Sequence, residues 1–263
     1  MAVLLDYQHV EISFNGNPVV HDVSFQLHPG EILGLVGESG SGKSTLIKAA
    51  RGLLGSSGMV TKGDIWFEGT NLPDLSDTEM RHICGEKIGM IFQDCGASLS
   101  PIRTIGEQIV ESLAAHRKVD VAEAKATAME LFDKLNFKDG ERVWSSYPFE
   151  LSGGMNQRAG IAIAMLMNPT VLMADEPTSA LDVAVQRQVV EEMLNVREVF
   201  GTAIIIVTHD IGVASYMADK LVVMKNGVIE DQGSREHILN ETNNAYTKKL
   251  MDAVPSLGGK RYV

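Results

Sequence analysis

The sequence predicts an α/β fold with a parallel-sheet core, an N-terminal antiparallel β layer and an inserted α-helical segment. Three observations carry this. The apolar run Ile32-Leu33-Gly34-Leu35-Val36 leads into Gly37-Glu38-Ser39-Gly40-Ser41-Gly42-Lys43-Ser44-Thr45 and then into Leu46-Ile47-Lys48-Ala49-Ala50, the strand, glycine loop and helix of a phosphate-binding loop. Strand and helix patterns alternate again from Thr170 to Thr208. Within the intervening segment, Ile105 to Phe137 carries helical periodicity and no strand signal.

Taken in order, His9 to Phe14 alternates Val10, Ile12 and Phe14 on one face, as a half-buried strand does. Asn15-Gly16-Asn17-Pro18 predicts a turn, and Val19 to Leu27 a second strand. Pro29-Gly30 turns the chain into the strand before the glycine loop. A Gly- and Ser-rich loop, Gly52 to Gly58, precedes the strand Asp64 to Phe67, and Lys87 to Phe92 is a further strand. Ile105 to His116 and Val121 to Phe137 predict helices, the second burying Ala128, Phe132 and Leu135 on one face. Ile161 to Met167 is apolar all round, which predicts a buried helix. Thr170 to Ala174 is a strand, Val183 to Phe200 a helix, and Ala203 to Thr208 a strand buried on both faces. Leu221 to Lys225 and Val228 to Asp231 flank Asn226-Gly227, a strong hairpin signal, and a short polar helical tail follows.

Composition narrows the function classes. The chain has 263 residues, net charge −11 and no run of Lys or Arg, which argues against a general nucleic-acid footprint. Its two cysteines, Cys84 and Cys95, form no C-x-x-C pair. They fit small hydrophobes in a reducing compartment better than a zinc, iron–sulfur or disulfide framework. The thirteen methionines fit gap-filling roles in buried helices. Met1 to Asp6 is too short and too soon acidic for a secretion signal, and no apolar run approaches the ~20 residues of a membrane-spanning helix. Service to a membrane is therefore expected from its cytoplasmic side, through a partner.

The residue types of the glycine loop suit a nucleotide triphosphate. Gly37, Gly40 and Gly42 let the backbone turn and aim N–H groups, with Ser39 between them, into an anion nest. Lys43 reaches the terminal phosphates, the Ser44 hydroxyl suits Mg²⁺, and Thr45 continues the helix start. Val171 to Ala174 is an apolar strand ending in Asp175 and Glu176, at the strand end where α/β sheets bind ligands. Asp175 suits the Mg²⁺ hydration shell, and Glu176 suits a general base that polarises water. Leu151-Ser152-Gly153-Gly154-Met155 opens a helix, and fits either an anion site or a plain N-cap with a flexible loop. Gln93 ends a strand and suits either a Mg²⁺ and γ-phosphate sensor or a solvated surface position. His209, after the strand Ala203 to Thr208, suits a capping or packing role when taken alone. Phe14 fits an adenine-stacking ring and a core position equally.

The order of these pieces is similar to that of the ATP-binding-cassette (ABC) ATPases: phosphate loop, Gln93, Leu151-Ser152-Gly153-Gly154, Asp175-Glu176, Ser179-Ala180-Leu181-Asp182, His209. The Leu-Ser-Gly-Gly segment is the discriminating motif, and the resemblance spans nearly the whole chain. Three stretches resemble the peptide/nickel importer ATPases within that family. They are Phe92-Gln93-Asp94 with Ser98 to Pro101, Ser152 to Arg158, and Tyr246-Thr247-Lys248-Lys249-Leu250 with Ala253-Val254-Pro255. Departures are Met155 where the wider family has Gln, Cys95 in place of Pro, Asn244-Ala245 in place of His-Pro, and a short tail without the cysteine cluster of some dipeptide members.

The resemblance implies a RecA-like nucleotide-binding core with its antiparallel layer over 1–94 and 168–240, a helical signature subdomain over 95–167 and a tail over 241–263. It implies two ATPase subunits that sandwich two ATP molecules head to tail. Lys43, Ser44, Gln93, Asp175, Glu176 and His209 then serve this chain's own ATP and Mg²⁺, with His209 on the γ-phosphate and attacking water and Asp182 near the dimer seam. Ser152, Gly153 and Gly154 act in trans on the partner's ATP. Further implied partners are a second, different ATPase subunit, two transmembrane permease subunits and an extracytoplasmic solute-binding protein. The chain is then expected at the cytoplasmic face of the membrane. A soluble ABC ATPase acting on DNA or ribosomes is opposed by the charge and by the lack of a coiled-coil insertion, zinc module or second cassette. A plain nucleotide switch or kinase is opposed by Leu151 to Met155.

Overall fold

The computed structural model describes residues 2–93, 95–179, 181–254, 256–257 and 260–261. Asp94, Ala180 and Pro255 of the motifs above, and the side chain of Cys95, lie outside the described residues. The chain forms two compact units, one of Met1–Arg81 with Ala203–Val263, the other of His82–Thr202.

The first unit opens with the hairpin of β1 (Leu5–Phe14) and β2 (Asn17–Leu27). Its turn is Asn15-Gly16 alone, at φ +48° and +79°, a pair that matches the twist of an antiparallel ribbon. Pro18, expected in the turn, instead lies in the edge strand β2, where a missing N–H is tolerated. β1 begins earlier than expected and carries register shifts between Tyr7 and Val10, with His9 at φ +52°. Of the expected stripe, Val10 and Ile12 are fully buried and Phe14 is half-buried. β3 (Ile32–Gly37) is buried along its whole length and leads through the glycine loop into α1 (Lys43–Ala49). β4 (Gly58–Phe67) starts at Gly58, not Asp64. Gly63, at φ +75°, interrupts its alternation and hides the first half from a period-two reading. β4 pairs with β1 and with β5 (Thr70–Asn71), giving an antiparallel sheet of order β2-β1-β4-β5, and α2 (Asp77–Ile83) follows.

The second unit contains β6 (Ile88–Ile91), α3 (Cys95–Ser98), α4 (Ile105–Ala114), α5 (Val121–Lys134), α6 (Gly140–Ser145), α7 (Gly153–Met165), β7 (Val171–Asp175) and α8 (Val183–Phe200). Side-chain caps fix the helix starts. Thr104 and Glu107 form a capping box on α4, and Asp120, Asp139, Ser152 and Asp182 cap α5, α6, α7 and α8. Ala128, Phe132 and Leu135 are buried as their spacing predicts, with Phe132 and Phe137 ring centroids 4.7 Å apart. The expectation of a helix over Ile161–Met167 buried all round is corrected: α7 ends at Met165, and Ile163 and Ala164 are half-buried.

The chain then returns to the first unit with β8 (Ala203–Thr208), α9 (Ile211–Met217), β9 (Lys220–Lys225), β10 (Val228–Ser234) and α10 (Ala245–Asp252). β3 pairs in parallel with β8 and with β9, and β10 pairs antiparallel with β9 through Asn226-Gly227 at φ +49° and +80°. Ile204, Ile205, Ile206 and Val207 are fully buried, the two-faced burial their apolar run predicts.

Candidate functional site

The glycine loop is held by groups that only its sequence permits. A Cβ on Gly37, at φ +157°, would sit 2.1 Å from the Met224 carbonyl oxygen on β9. Gly42, at φ +99°, takes the left-handed conformation from which α1 starts. Lys43, the first residue of α1, is only 4% exposed. Its Nζ donates to the carbonyl oxygens of Gly37 and Glu38, both at 2.8 Å, and to Ser41 Oγ at 3.3 Å. The loop therefore curls around an ammonium, a fixed positive charge of the kind that suits an anionic group. Ser39 and Gly40 lie exposed at its tip, and Ser44 and Thr45 are half-buried on the first turn of α1. Gly227 N–H donates to the Ser41 carbonyl at 3.1 Å, so the β9–β10 turn braces the loop from outside.

His209 belongs to the same end of the same sheet. Val36 pairs with Thr208 across β3 and β8, so Gly37 and His209 are each the next residue beyond one rung. The following turn is ordered by its own side chains: Asp210 N–H donates to Thr208 Oγ1 at 3.0 Å, and Asp210 Oδ1 accepts from the Gly212 and Val213 N–H groups. His209 is exposed. Phe14 packs its ring against Gly58, where a Cβ would meet Phe14 Cε1 at 2.7 Å.

In the second unit β6 and β7 run parallel with Ile91 opposite Ala174, so Gln93 and the pair Asp175-Glu176 leave that sheet at a common end. Asp175 is 6% exposed, Glu176 is half-buried and Gln93 is exposed. Glu176 adopts φ +46°, a left-handed conformation that costs a non-glycine residue about 1 kcal/mol or more and collects at functional positions. The segment after it is fixed by neighbours. Ser179 N–H donates to the Glu176 carbonyl at 3.1 Å, Gln157 Nε2 to the Pro177 carbonyl at 2.8 Å and Gln186 Nε2 to the Thr178 carbonyl at 3.2 Å. Gln93, Gly153, Asn156 and Ser179 border one cleft of about 470 Å³.

Ser152 caps α7, its Oγ accepting from Met155 N–H at 3.3 Å, and Asp182 caps α8 in the same way from Val185 N–H at 3.0 Å. In this single chain Ser152 therefore has the capping role that its local pattern allows, with Ser152 and Gly153 exposed to an incoming group. α7 is tied to its neighbours by Arg158, whose contacts the sequence did not reveal beyond its place in the motif. Arg158 Nε donates to Glu192 Oε2 at 2.9 Å, Nη2 donates to the Leu135 carbonyl, and the guanidinium lies 4.3 Å from the Phe137 ring centroid. A charged residue within a largely apolar helix was its only signal. Burial pushes the Glu192 carboxyl above its ordinary range, and the Arg158 charge pulls it back.

Comparison with known proteins places this geometry in a family. The family model described as ABC transporter matches residues 20–179. The Haemophilus influenzae oligopeptide transport ATP-binding protein OppD is 41% identical over 263 residues, 98% of this chain and 81% of its own length. The Staphylococcus aureus metal-staphylopine import system ATP-binding protein CntD is 40% identical over 250 residues, 94% of this chain and 92% of its own. Among solved structures, cbiO1 from Clostridium perfringens, part of the transporter complex cbiONQ, aligns at TM-score 0.80 and 26% identity over 92% of each chain. The ATP-binding cassette MJ0796, dimeric and bound to ADP and Pi, aligns at TM-score 0.74 and 28% identity over 88% of this chain and 99% of that one. Phosphate loop, strand-end carboxylates and capped Ser-Gly-Gly helix thus occur together in a chain that belongs to the ABC transporter family of ATP-binding proteins and hydrolyses ATP.

Proposed function

We propose that this chain is the ATP-hydrolysing subunit of a membrane importer for peptides or nickel and other metal chelates. It works head to tail with a second, different ATPase subunit, on two permease subunits fed by an extracytoplasmic solute-binding protein. The relatives named for oligopeptide and metal-staphylopine import support the solute class. The observation that carries the reading is the phosphate loop with Lys43 at its centre, in a chain whose exposed Ser152-Gly153 helix start is free to meet a partner's nucleotide. Among the described residues no helix is long and apolar enough to cross a membrane. In this reading the permeases hold the chain at the cytoplasmic face.

Each residue then has a task. Gly37, Ser39, Gly40, Gly42, Lys43, Ser44 and Thr45 hold the phosphates, and Phe14 lies beside the adenine. Ser44, Gln93 and Asp175 offer the hard oxygen donors that suit Mg²⁺, which when bound neutralises phosphate charge. Glu176 takes a proton from the attacking water, and His209 fixes that water and the γ-phosphate. Ser152, Gly153 and Gly154 complete the partner's site in trans, with Asp182 at the seam. The division of labour follows 1–94 with 168–240 as nucleotide core, 95–167 as signature subdomain and 241–263 as tail; the all-helical run from α3 to α7 supports that division.

The test is isolation from membranes with tagged chain, followed by reconstitution in vesicles with the co-purifying permeases and binding protein. ATP turnover stimulated by an oligopeptide or a nickel chelate, with its uptake, is the expected result. Recovery with nucleic acid or ribosomes and no membrane partner overturns the transport reading.

A further inference from the structure

We infer that Tyr246 is a positioning residue for ATP binding: its hydroxyl pins the first peptide of the phosphate loop from outside. The inference rests on the reading of Gly37 to Thr45 as the loop that holds ATP's phosphates.

The peptide between Gly37 and Glu38 is gripped on both edges. Its carbonyl, Gly37 O, accepts from Lys43 Nζ at 2.8 Å, and its N–H, on Glu38, donates to Tyr246 Oη at 3.2 Å. A trans peptide points its oxygen and hydrogen in opposite directions, so one grip sets the other. Gly37, without a side chain, leaves this peptide freer to rotate than any other residue would allow. If it rotated, Lys43 would lose one of its loop acceptors, and the bound geometry would have to be rebuilt when ATP arrives. Holding it in advance lowers the ordering cost of binding.

Tyr246 itself is fixed in the first turn of α10, where Asn244 is the N-cap. Asn244 Oδ1 accepts from the Tyr246 and Thr247 N–H groups at 2.9 and 3.0 Å, and Asn244 Nδ2 donates to the Glu230 carbonyl at 2.8 Å. Thr247, fully buried, donates from Oγ1 to Asp231 Oδ2 at 2.9 Å, and Thr242 donates to the same carboxylate oxygen. Lys225 Nζ lies 4.7 Å from the Tyr246 ring centroid. Glu230, Asp231 and Lys225 all belong to the β9–β10 hairpin, whose turn donates from Gly227 N–H to Ser41 O. One hairpin therefore steadies the loop at two points, directly at Ser41 and through α10 and Tyr246 at Glu38. Burial raises the Tyr246 hydroxyl above its ordinary pKa, so the phenol stays neutral through the physiological range.

Tyr246→Phe in the 263-residue chain removes the hydroxyl and keeps the ring over Lys225. A single net hydrogen bond corresponds to a fold-change of about 2–12. The Kd for Mg-ATP is expected to rise about 3–10-fold, with the loss falling on KM and not on kcat in the reconstituted complex. Amide hydrogen exchange at Glu38 should speed up while the thermal midpoint without nucleotide changes little. Thr247→Val, which loosens α10 from Asp231, should weaken ATP binding in the same direction and combine with Tyr246→Phe non-additively. Unchanged ATP affinity in Tyr246→Phe overturns the inference, as does a fall in thermal midpoint with wild-type affinity, which marks a merely structural tyrosine. Additive losses in the double variant also overturn it, since the two residues would then act independently. A wild-type chain that binds no ATP fails differently, by removing the reading of the loop itself.

Discussion

Val36 and Thr208 face each other in the parallel pairing of β3 with β8, which brings Gly37 and His209 off the sheet at one end. The glycine loop and the histidine thus share an origin in the strand register, although 172 residues of sequence separate Gly37 from His209. His209→Ala should reduce ATP turnover by about 10²–10³-fold, the usual loss when one fixed donor to a developing charge is removed. ATP affinity should change by less than about 10-fold, because Lys43 and the loop are untouched. Steady-state turnover and equilibrium binding of the reconstituted pair measure the two, and wild-type turnover would take His209 out of the centre.

Arg158 makes a prediction about stability and pH. It is the charged partner of Glu192, whose side chain is 9% exposed and whose carboxyl burial already holds above its ordinary range. Arg158→Met strands that carboxylate and raises its folded pKa further. A folded pKa above the unfolded one means that the folded state binds the proton more tightly, so the deficit is greatest at neutral pH and shrinks as pH falls through the folded value. The expected cost is about 3–5 kcal/mol at neutral pH. Denaturant unfolding at neutral pH and again near pH 5 should show the smaller loss in acid. Adding Glu192→Leu to Arg158→Met should recover most of the stability; a loss of equal size at both pH values would show that packing on Phe137, not charge, is what Arg158 supplies.

What the sequence revealed and concealed follows from the range of the interactions. The glycine loop, the Asn226-Gly227 hairpin, the Ala128, Phe132 and Leu135 face and the strand before Asp175 were all legible because each is written within a few neighbouring residues. The first half of β4 was hidden by Gly63, and the His9 irregularity by an alternation that looked regular. α9 went unread because Ile211 to Met217 is too short for a helical period and contains glycine and serine. Two long-range contacts were invisible for another reason. Glu38 and Tyr246 are 208 residues apart, and Arg158 and Glu192 are 34 apart, so no local pattern records either pair.

Ser152 separates a local role from one in trans. Its Oγ caps α7 through Met155 N–H, worth about 1 kcal/mol when lost, so some destabilisation of the helix start is expected from any substitution. Ser152→Arg also fills the exposed helix start with a bulky side chain. In a pair with the proposed second ATPase, hydrolysis at the partner's nucleotide should fail, while this chain alone binds ATP as before. Loss of ATP binding in the isolated chain would confine Ser152 to folding.

Glu176 follows the buried Asp175 at the end of β7 and holds a left-handed backbone, φ +46°, in a segment fixed at Pro177 and Thr178 by Gln157 and Gln186. A carboxylate in such a fixed position suits a general base, which typically contributes about 10²–10⁴-fold to the rate. Glu176→Gln keeps the shape and one acceptor oxygen but cannot take a proton. ATP binding should survive and turnover should fall by that factor, so the variant should accumulate as an ATP-loaded dimer when its partner is present. Turnover and molecular size, measured together in ATP and Mg²⁺, decide it. Turnover at the wild-type rate rejects Glu176 as the base. A dead variant that also fails to bind ATP points to a misfolded β7 end, since Lys43 is untouched. A homodimer formed readily without any second subunit removes the heterodimer proposal and leaves the chemistry of Glu176 in place.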